Sequence, residues 1–237
     1  MLVSYSVYYK NNIFLKMDQN TKKHKVAESV LDLIGNDEIL GIGSGSTVNI
    51  LIDHLPKMKN KISKVVSSSI KSTELLKTNG FEVSELKSVG KLSTYIDGAD
   101  EINGYLQMIK GGGGALTREK ILAHSSKRFI CIVDDSKKVN ILGNYPLPIE
   151  VIPLAQSAVA LELIRMGGRP VLRQNFTTDN GNIILDVHNF MISEPLKLEK
   201  EINNIPGVVT NGIFALNHAD MLLSAGDNGV DVSEPIV

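Results

Sequence analysis

The chain predicts an α/β fold: an open, mostly parallel Rossmann-like sheet with a smaller ferredoxin-like α+β domain. Three observations lead there. From Glu38 to Asp135 short apolar strands alternate with helices, and polar or glycine-rich loops follow the strand ends, which is the pattern of a parallel sheet. From Pro148 to Phe214 the order changes to β-α-β-β-α-β, the ferredoxin-like succession. The length of 237 residues, set against ~150 residues per domain, leaves room for one domain and a smaller addition.

Taken in order, Val26, Val30, Leu31 and Ile34 recur at helical spacing and Gly35 stops the helix. Glu38-Ile-Leu-Gly-Ile is a strand that runs into Gly43-Ser-Gly-Ser-Thr and a helix from Val48. Lys64-Val-Val-Ser is a second strand, followed by Ser68-Ser-Ile-Lys-Ser-Thr and a helix over 73–78 that Asn79-Gly80 ends. Tyr95-Ile-Asp-Gly-Ala-Asp ends a third strand. Leu106-Gln-Met-Ile-Lys reads as a further strand of the sheet, leading into four glycines and a helix over 115–127. Arg128-Phe-Ile-Cys-Ile-Val-Asp-Asp is strongly apolar and reads as a strand.

After Tyr145 come a strand at Pro148–Ile152, a helix over 157–166 stopped by Gly167-Gly168, and strands at 169–173 and 182–188, joined through Thr178-Asp-Asn-Gly. A helix over 196–205 and the strand Val208-Val-Thr-Asn-Gly-Ile-Phe complete the set. Ala219–Ala225 returns to the first sheet. The expected division is an α/β catalytic domain over 17–144 plus 219–237 and an α+β domain over 145–218. Residues 1–16 are expected as a disordered N-terminal extension, with Met17 opening a more typical start.

Composition narrows the function classes. Lys+Arg 25 against Asp+Glu 26 leaves a formal net charge of −1, which offers no global attraction to nucleic acid or an anionic membrane. No apolar run reaches the ~20 residues of a membrane helix. One cysteine builds neither an intramolecular disulfide nor a zinc cage and points to a reducing, cytoplasmic setting. The five histidines lack metal-ligand spacing, so the expected metal and cofactor complement is none.

Several segments carry chemistry. In Gly41-Ile-Gly-Ser-Gly-Ser-Thr, a strand turns through glycines into a helix, presenting backbone N–H groups and a helix dipole to an anion. It is neither a dinucleotide fingerprint nor a Walker A loop, and the hydroxyls of Ser44, Ser46 and Thr47 suit a phosphate monoester. Ser67-Ser-Ser-Ile-Lys71 serves equally as a capped helix start or a ligand loop. Asp97-Gly-Ala-Asp-Glu101 places three carboxylates at a strand end, suited to sugar hydroxyls, with Glu101 best fitted to a solvated or turn-capping place.

The strongest signal is Lys110-Gly-Gly-Gly-Gly-Ala-Leu-Thr-Arg-Glu119-Lys. Four glycines cost backbone entropy, so something must approach the backbone closely. Glu119 has Ala115, Leu116, Leu122 and Ala123 as its helical neighbours. A carboxylate on that apolar face is desolvated and moves toward the range of a general base. Arg118 and Lys120 lie on other faces as solvated charges. In Asp134-Asp-Ser-Lys-Lys138 one lysine is placed to reach the strand-end site, and Cys131 reads as a core residue.

GIGSGST, SSSIKST, DGADE, KGGGGALTREK, DDSKKV and PLPIEVIP, in that order, resemble the ribose-5-phosphate isomerase type A family over roughly 23–225. The resemblance implies interconversion of D-ribose 5-phosphate and D-ribulose 5-phosphate through an enediolate, in the non-oxidative pentose phosphate pathway. It places Ser44, Gly45, Ser46, Thr47, Asp97, Gly98, Ala99, Asp100, Lys110, Gly111, Gly112, Gly113 and Lys137 around a sugar phosphate, with Glu119 as the base. It also implies a cytoplasmic homodimer or homotetramer. The family's usual run has Ala where this chain has Gly114, a departure expected only to loosen the helix start by ~1 kcal/mol.

The chemistry fits the residues independently. An aldose–ketose isomerase needs a base to move one proton, a cation for the developing oxyanion and a partner for hydroxyl proton transfer. Glu119, Lys110 and Asp97 are the expected holders of these three roles. Two rivals are a non-catalytic sugar-phosphate sensor and a CoA transferase-like enzyme with a catalytic glutamate. The first has no use for Glu119 on an apolar face. The second needs more room than this chain length provides.

Overall fold

The computed structural model describes residues 16–236, and the expectation for the N-terminal extension falls outside them up to residue 15. The chain runs α1 (Gln19–Ser29), β1 (Glu38–Ile42), α2 (Ser46–His54), β2 (Ile62–Ser67), α3 (Ile70–Thr78), α4 (Leu86–Val89), β3 (Thr94–Asp97), β4 (Glu101–Ile102), β5 (Met108–Ile109), α5 (Leu116–His124) and β6 (Phe129–Asp134). It continues through β7 (Leu147–Val151), α6 (Gln156–Arg165), β8 (Arg169–Leu172), β9 (Ile183–His188), α7 (Pro195–Asn203), β10 (Val208–Asn211), β11 (Ile213–Phe214), β12 (Met221–Gly226) and β13 (Gly229–Ser233). No described helix is long and apolar enough to cross a membrane.

The main sheet has the order β13-β12-β6-β3-β1-β2. Its first five strands in chain order pair in parallel, and β13 adds an antiparallel edge. The chain order reverses at β1, between β2 and β3, and ligands of open α/β sheets bind at such a switch, outside the carboxyl ends of the strands. Apolar residues of β1, α1, α2 and α3 fill one face of the sheet. The other face is packed by Tyr95, Phe129, Cys131 and Leu122 of α5. Strand β6 is buried along its whole length, as its unbroken apolar run requires for a strand covered on both faces.

The second sheet is antiparallel in the order β10-β7-β9-β8, with α6 and α7 supplying its connections. This is the ferredoxin-like order that the β-α-β-β-α-β succession predicts. Its core of Leu147, Ile149, Val151, Val159, Leu163 and Ile202 is separate from the two cores of the main sheet.

Two readings differ from the structure. Leu106–Lys110 is not a strand of the parallel sheet: only Met108–Ile109 pair, in a three-stranded sheet of order β11-β5-β4. The expected strand Val208–Phe214 breaks at Gly212, whose N–H donates to Pro148 O (2.8 Å) and whose carbonyl accepts from Lys110 N (2.9 Å). One half of it pairs with β7 and the other with β5. The break therefore ties the backbone at Lys110 to the small domain.

Candidate active site

A cavity of about 140 Å³ opens at the carboxyl ends of β1, β3 and β6. Three loops meet there. The β1–α2 loop supplies Ser44–Thr47, the β3–β4 loop Gly98–Asp100, and the β5–α5 loop Lys110–Gly113. Glu119 on α5 and Lys137 after β6 complete the predicted lining. Lys23 and Gln19 of α1 also line it.

Glu119 is 3 % exposed. Ser44 Oγ donates to its Oε1 at 2.6 Å, while Oε2 accepts no hydrogen bond among the described residues. The Lys110 ammonium stands 3.2 Å from Oε2 without hydrogen-bond alignment. Burial, reinforced by the charge of Asp97 and opposed by that of Lys110, lifts the Glu119 carboxyl to about 7. A carboxylate with one oxygen anchored and the other without a hydrogen bond, titrating near neutrality, has the properties of a general base.

Lys110 is 3 % exposed, its Nζ donating to Asp97 Oδ2 and Gly98 O, both at 2.7 Å. Burial alone would lower its proton affinity, but the carboxylates of Asp97 and Glu119 outweigh it and hold the ammonium charged well above its ordinary range.

Asp97 is fully buried and does not line the cavity. Its Oδ1 accepts from the backbone N–H groups of Ser44 (3.0 Å) and Gly98 (2.8 Å), and its Oδ2 from Lys110 and the Tyr95 hydroxyl. Each oxygen of the Asp97 carboxylate thus takes two protein donors, which sets the group expected to transfer the hydroxyl proton behind the cavity wall. Within the 97–101 segment the cavity-lining carboxylate is Asp100, whose Oδ2 accepts from Gly112 N (2.8 Å). Burial raises its proton affinity, against Gly112, Lys110 and Lys137.

Three other expectations change. Glu101 is not solvated: it is 4 % exposed and accepts from the backbone N–H groups of Gly143 (2.8 Å) and Tyr145 (2.5 Å). Lys120 is not a solvated charge either, because it pairs with Glu199 at 2.6 Å over the Phe214 ring. Ser67 and Lys71 do not line this cavity; Ser69 accepts from Ser72 N at 3.0 Å and caps α3. Cys131 is a buried core residue whose thiol burial pushes up to about 12.

The glycine run has separate physical reasons at separate positions. A Cβ on Gly112 would lie 2.5 Å from the Tyr145 hydroxyl and 2.7 Å from Asp100 Oδ1, so only glycine admits both. Gly114 has φ +83°, and a Cβ there would lie 2.1 Å from Phe176 Cζ. It precedes α5 in a left-handed turn, so the expectation of a loosened helix start is replaced by a close approach of a small-domain ring. Gly114→Ala is expected to cost about 1–2 kcal/mol or more, read as a lower melting temperature. Phe176→Leu, which lacks the colliding ring atoms, should recover the steric part in the double variant. Additive losses would contradict this contact.

Residues 64–229 match the model of a family described as ribose 5-phosphate isomerase A (phosphoriboisomerase A). The chain belongs to that family. It is 52% identical over 214 residues to the ribose-5-phosphate isomerase A of Buchnera aphidicola, covering 90% of this chain and 96% of that one. The crystal structure of ribose 5-phosphate isomerase A from Neisseria gonorrhoeae superposes with a TM-score of 0.92 at 47% identity, over 94% of this chain and 100% of that chain. A D-ribose-5-phosphate isomerase solved in complex with phospho-erythronic acid gives 0.87 at 36% identity, over 92% and 100% of the two chains. These structures share the α/β fold of this chain over nearly its whole length.

Proposed function

We infer that this cavity interconverts ribose 5-phosphate and ribulose 5-phosphate, with Glu119 as the base that carries the proton between C2 and C1. The observation that carries the reading is the Glu119 carboxylate: buried, held at one oxygen by Ser44, without a hydrogen bond at the other and titrating near neutrality. Glu119 takes the C2 proton of the open-chain aldose, leaving an enediolate, and returns it to C1 of the ketose. Lys110 neutralises the oxyanion that develops next to the reacting carbon. Asp97, together with Tyr95, fixes that ammonium in place. Asp100, a cavity-lining carboxylate with raised proton affinity, is the group we assign to proton transfer between the two hydroxyl oxygens.

The phosphate end is assigned to the start of α2. Lys23 Nζ meets Ser46 Oγ at 3.0 Å, and the Gly45–Thr47 turn contributes N–H groups and a helix dipole. Lys137 adds a second cation to the lining. A relative is solved in complex with phospho-erythronic acid, an acid whose phosphate resembles the substrate's and whose carboxylate resembles the planar, negatively charged enediolate, which supports reading the cavity as a sugar-phosphate site. A reducing, cytoplasmic setting and assembly as a homodimer or homotetramer belong to the same reading.

Incubation with ribose 5-phosphate and assay for the ketopentose phosphate tests the function. Ketose formation is expected, and its absence from folded protein would overturn the reading. Activity is also expected to survive exhaustive EDTA, because the three carboxylates of the Asp97–Glu101 segment diverge to Lys110, Gly112 and the 143–145 loop. A loss reversed by Mg²⁺ would contradict that.

A further inference from the structure

Arg173 follows β8 in the small domain and does not line the cavity. Its Nη1 donates to the carbonyls of Gly112 (3.1 Å) and Gly111 (3.4 Å), and its Nη2 to Gly111 O at 3.4 Å. Its Nε and Nη2 also form a fork on Asp186 of β9, at 2.8 and 2.5 Å. The guanidinium lies 5.2 Å from the centre of the Phe176 ring, the same ring that fills the space beside Gly114. Two groups of the small domain, the Asp186 carboxylate and the Phe176 ring, thus hold one cation against the back of the glycine run.

In a trans peptide the C=O and N–H point in opposite directions. The peptide whose carbonyl belongs to Gly111 shows this directly: its N–H, on Gly112, donates to the cavity-lining Asp100. The next peptide has its carbonyl, on Gly112, held by Arg173, so its N–H, on Gly113, faces away from Arg173. Gly113 lines the cavity, and its N–H has no acceptor among the described residues. A cation on a carbonyl also polarises the peptide and strengthens its N–H as a donor.

We propose that Arg173 is a positioning residue of the isomerase, whose clamp on the Gly111 and Gly112 carbonyls aims the Gly113 N–H at the oxyanion of the enediolate. The proposal rests on the reading of this cavity as the isomerase site. The contribution is largest where charge develops, so it falls on turnover more than on substrate binding.

The test compares Arg173→Met and Arg173→Lys with the wild type in turnover, KM for ribose 5-phosphate, inhibition by 4-phosphoerythronate, pH profile and melting temperature. For Arg173→Met, kcat is expected to fall by about 10–100-fold with KM within about 3-fold, inhibitor binding weakening in step with kcat. The acid limb of the pH profile stays in place, because Arg173 does not touch Glu119. Arg173→Lys, which keeps the charge but not the fork, should fall between the two. A folded Arg173→Met with wild-type kcat and inhibitor affinity, a loss confined to KM, or a displaced acid limb would overturn the proposal. If Arg173→Met fails to fold, Arg173→Lys decides on the same readouts, and wild-type values there overturn it. An active Glu119→Gln would sink the site reading itself. An inactive Glu119→Gln beside a fully active Arg173→Met would sink the role of Arg173 alone.

Discussion

Glu119→Gln turns over ribose 5-phosphate about 10²–10⁴-fold more slowly than the wild type, with substrate affinity changed only a few-fold. The amide keeps the shape of the carboxylate and can still accept from the Ser44 hydroxyl, but it cannot take a proton from carbon. Stability moves the other way. The fold raises the Glu119 carboxyl from its ordinary 4.5 to about 7, so the folded state binds this proton more tightly than the unfolded chain does. The charged form therefore carries a cost that grows as pH rises from about 4.5 and is complete above about 7. The variant is accordingly expected to melt at a higher temperature than the wild type at mildly alkaline pH, the gain shrinking as the pH falls. Thermal melts at two pH values check the sign, and a lower melting temperature in alkali would contradict the account of burial.

Lys110→Met is expected to damage both activity and stability. Its ammonium sits between two buried carboxylates, 2.7 Å from Asp97 and 3.2 Å from Glu119. Removing one partner of a buried pair leaves an uncompensated charge and costs about 3–5 kcal/mol. The Lys110 proton affinity is raised in the fold, so its contribution is fully present at neutral pH and is lost only as pH rises above the ordinary lysine range. Loss of the cation beside the oxyanion should lower kcat by about 10²–10³-fold. Residual activity should show an acid limb displaced upward, because the Lys110 charge normally opposes the rise in Glu119. Calorimetry and a pH–rate profile measure both, and wild-type stability with an unmoved limb would remove Lys110 from the charge cluster.

The parts of this site visible in the sequence are those whose physics is local. The four helical neighbours of Glu119 are apolar, and the residue is buried. The glycine run after an apolar strand announces close approach, and Gly112 and Gly114 each face a neighbour where a Cβ would collide. The fold class was legible for the same reason, since strand–loop–helix alternation and the β-α-β-β-α-β order are written along the chain.

What stayed hidden depends on partners distant in sequence. Asp97 resembles any strand-end carboxylate until β3 is placed between β1 and β6 and Lys110 crosses above it. Glu101 looks like a surface residue until the amides of Gly143 and Tyr145 are brought to it. Lys120 finds Glu199 across 79 residues, and Arg173 finds the glycine carbonyls across about 60 residues, from the other sheet. Gly114 reads only as a looser start to the helix that Ala-Leu-Thr-Arg-Glu opens, whereas the turn that admits Phe176 is a property of two domains together.

The central claim is that one carboxylate, Glu119, moves the carbon-bound proton and does so with a proton affinity near neutrality. Loss of deuterium from C2 of [2-²H]ribose 5-phosphate, followed by NMR between about pH 5 and pH 9, reports that step directly. The wild type is expected to labilise the C2 deuteron with an acid limb centred near 7, and Glu119→Gln to leave it in place while still binding the substrate. C2 exchange by Glu119→Gln at a rate near that of the wild type would contradict the assignment.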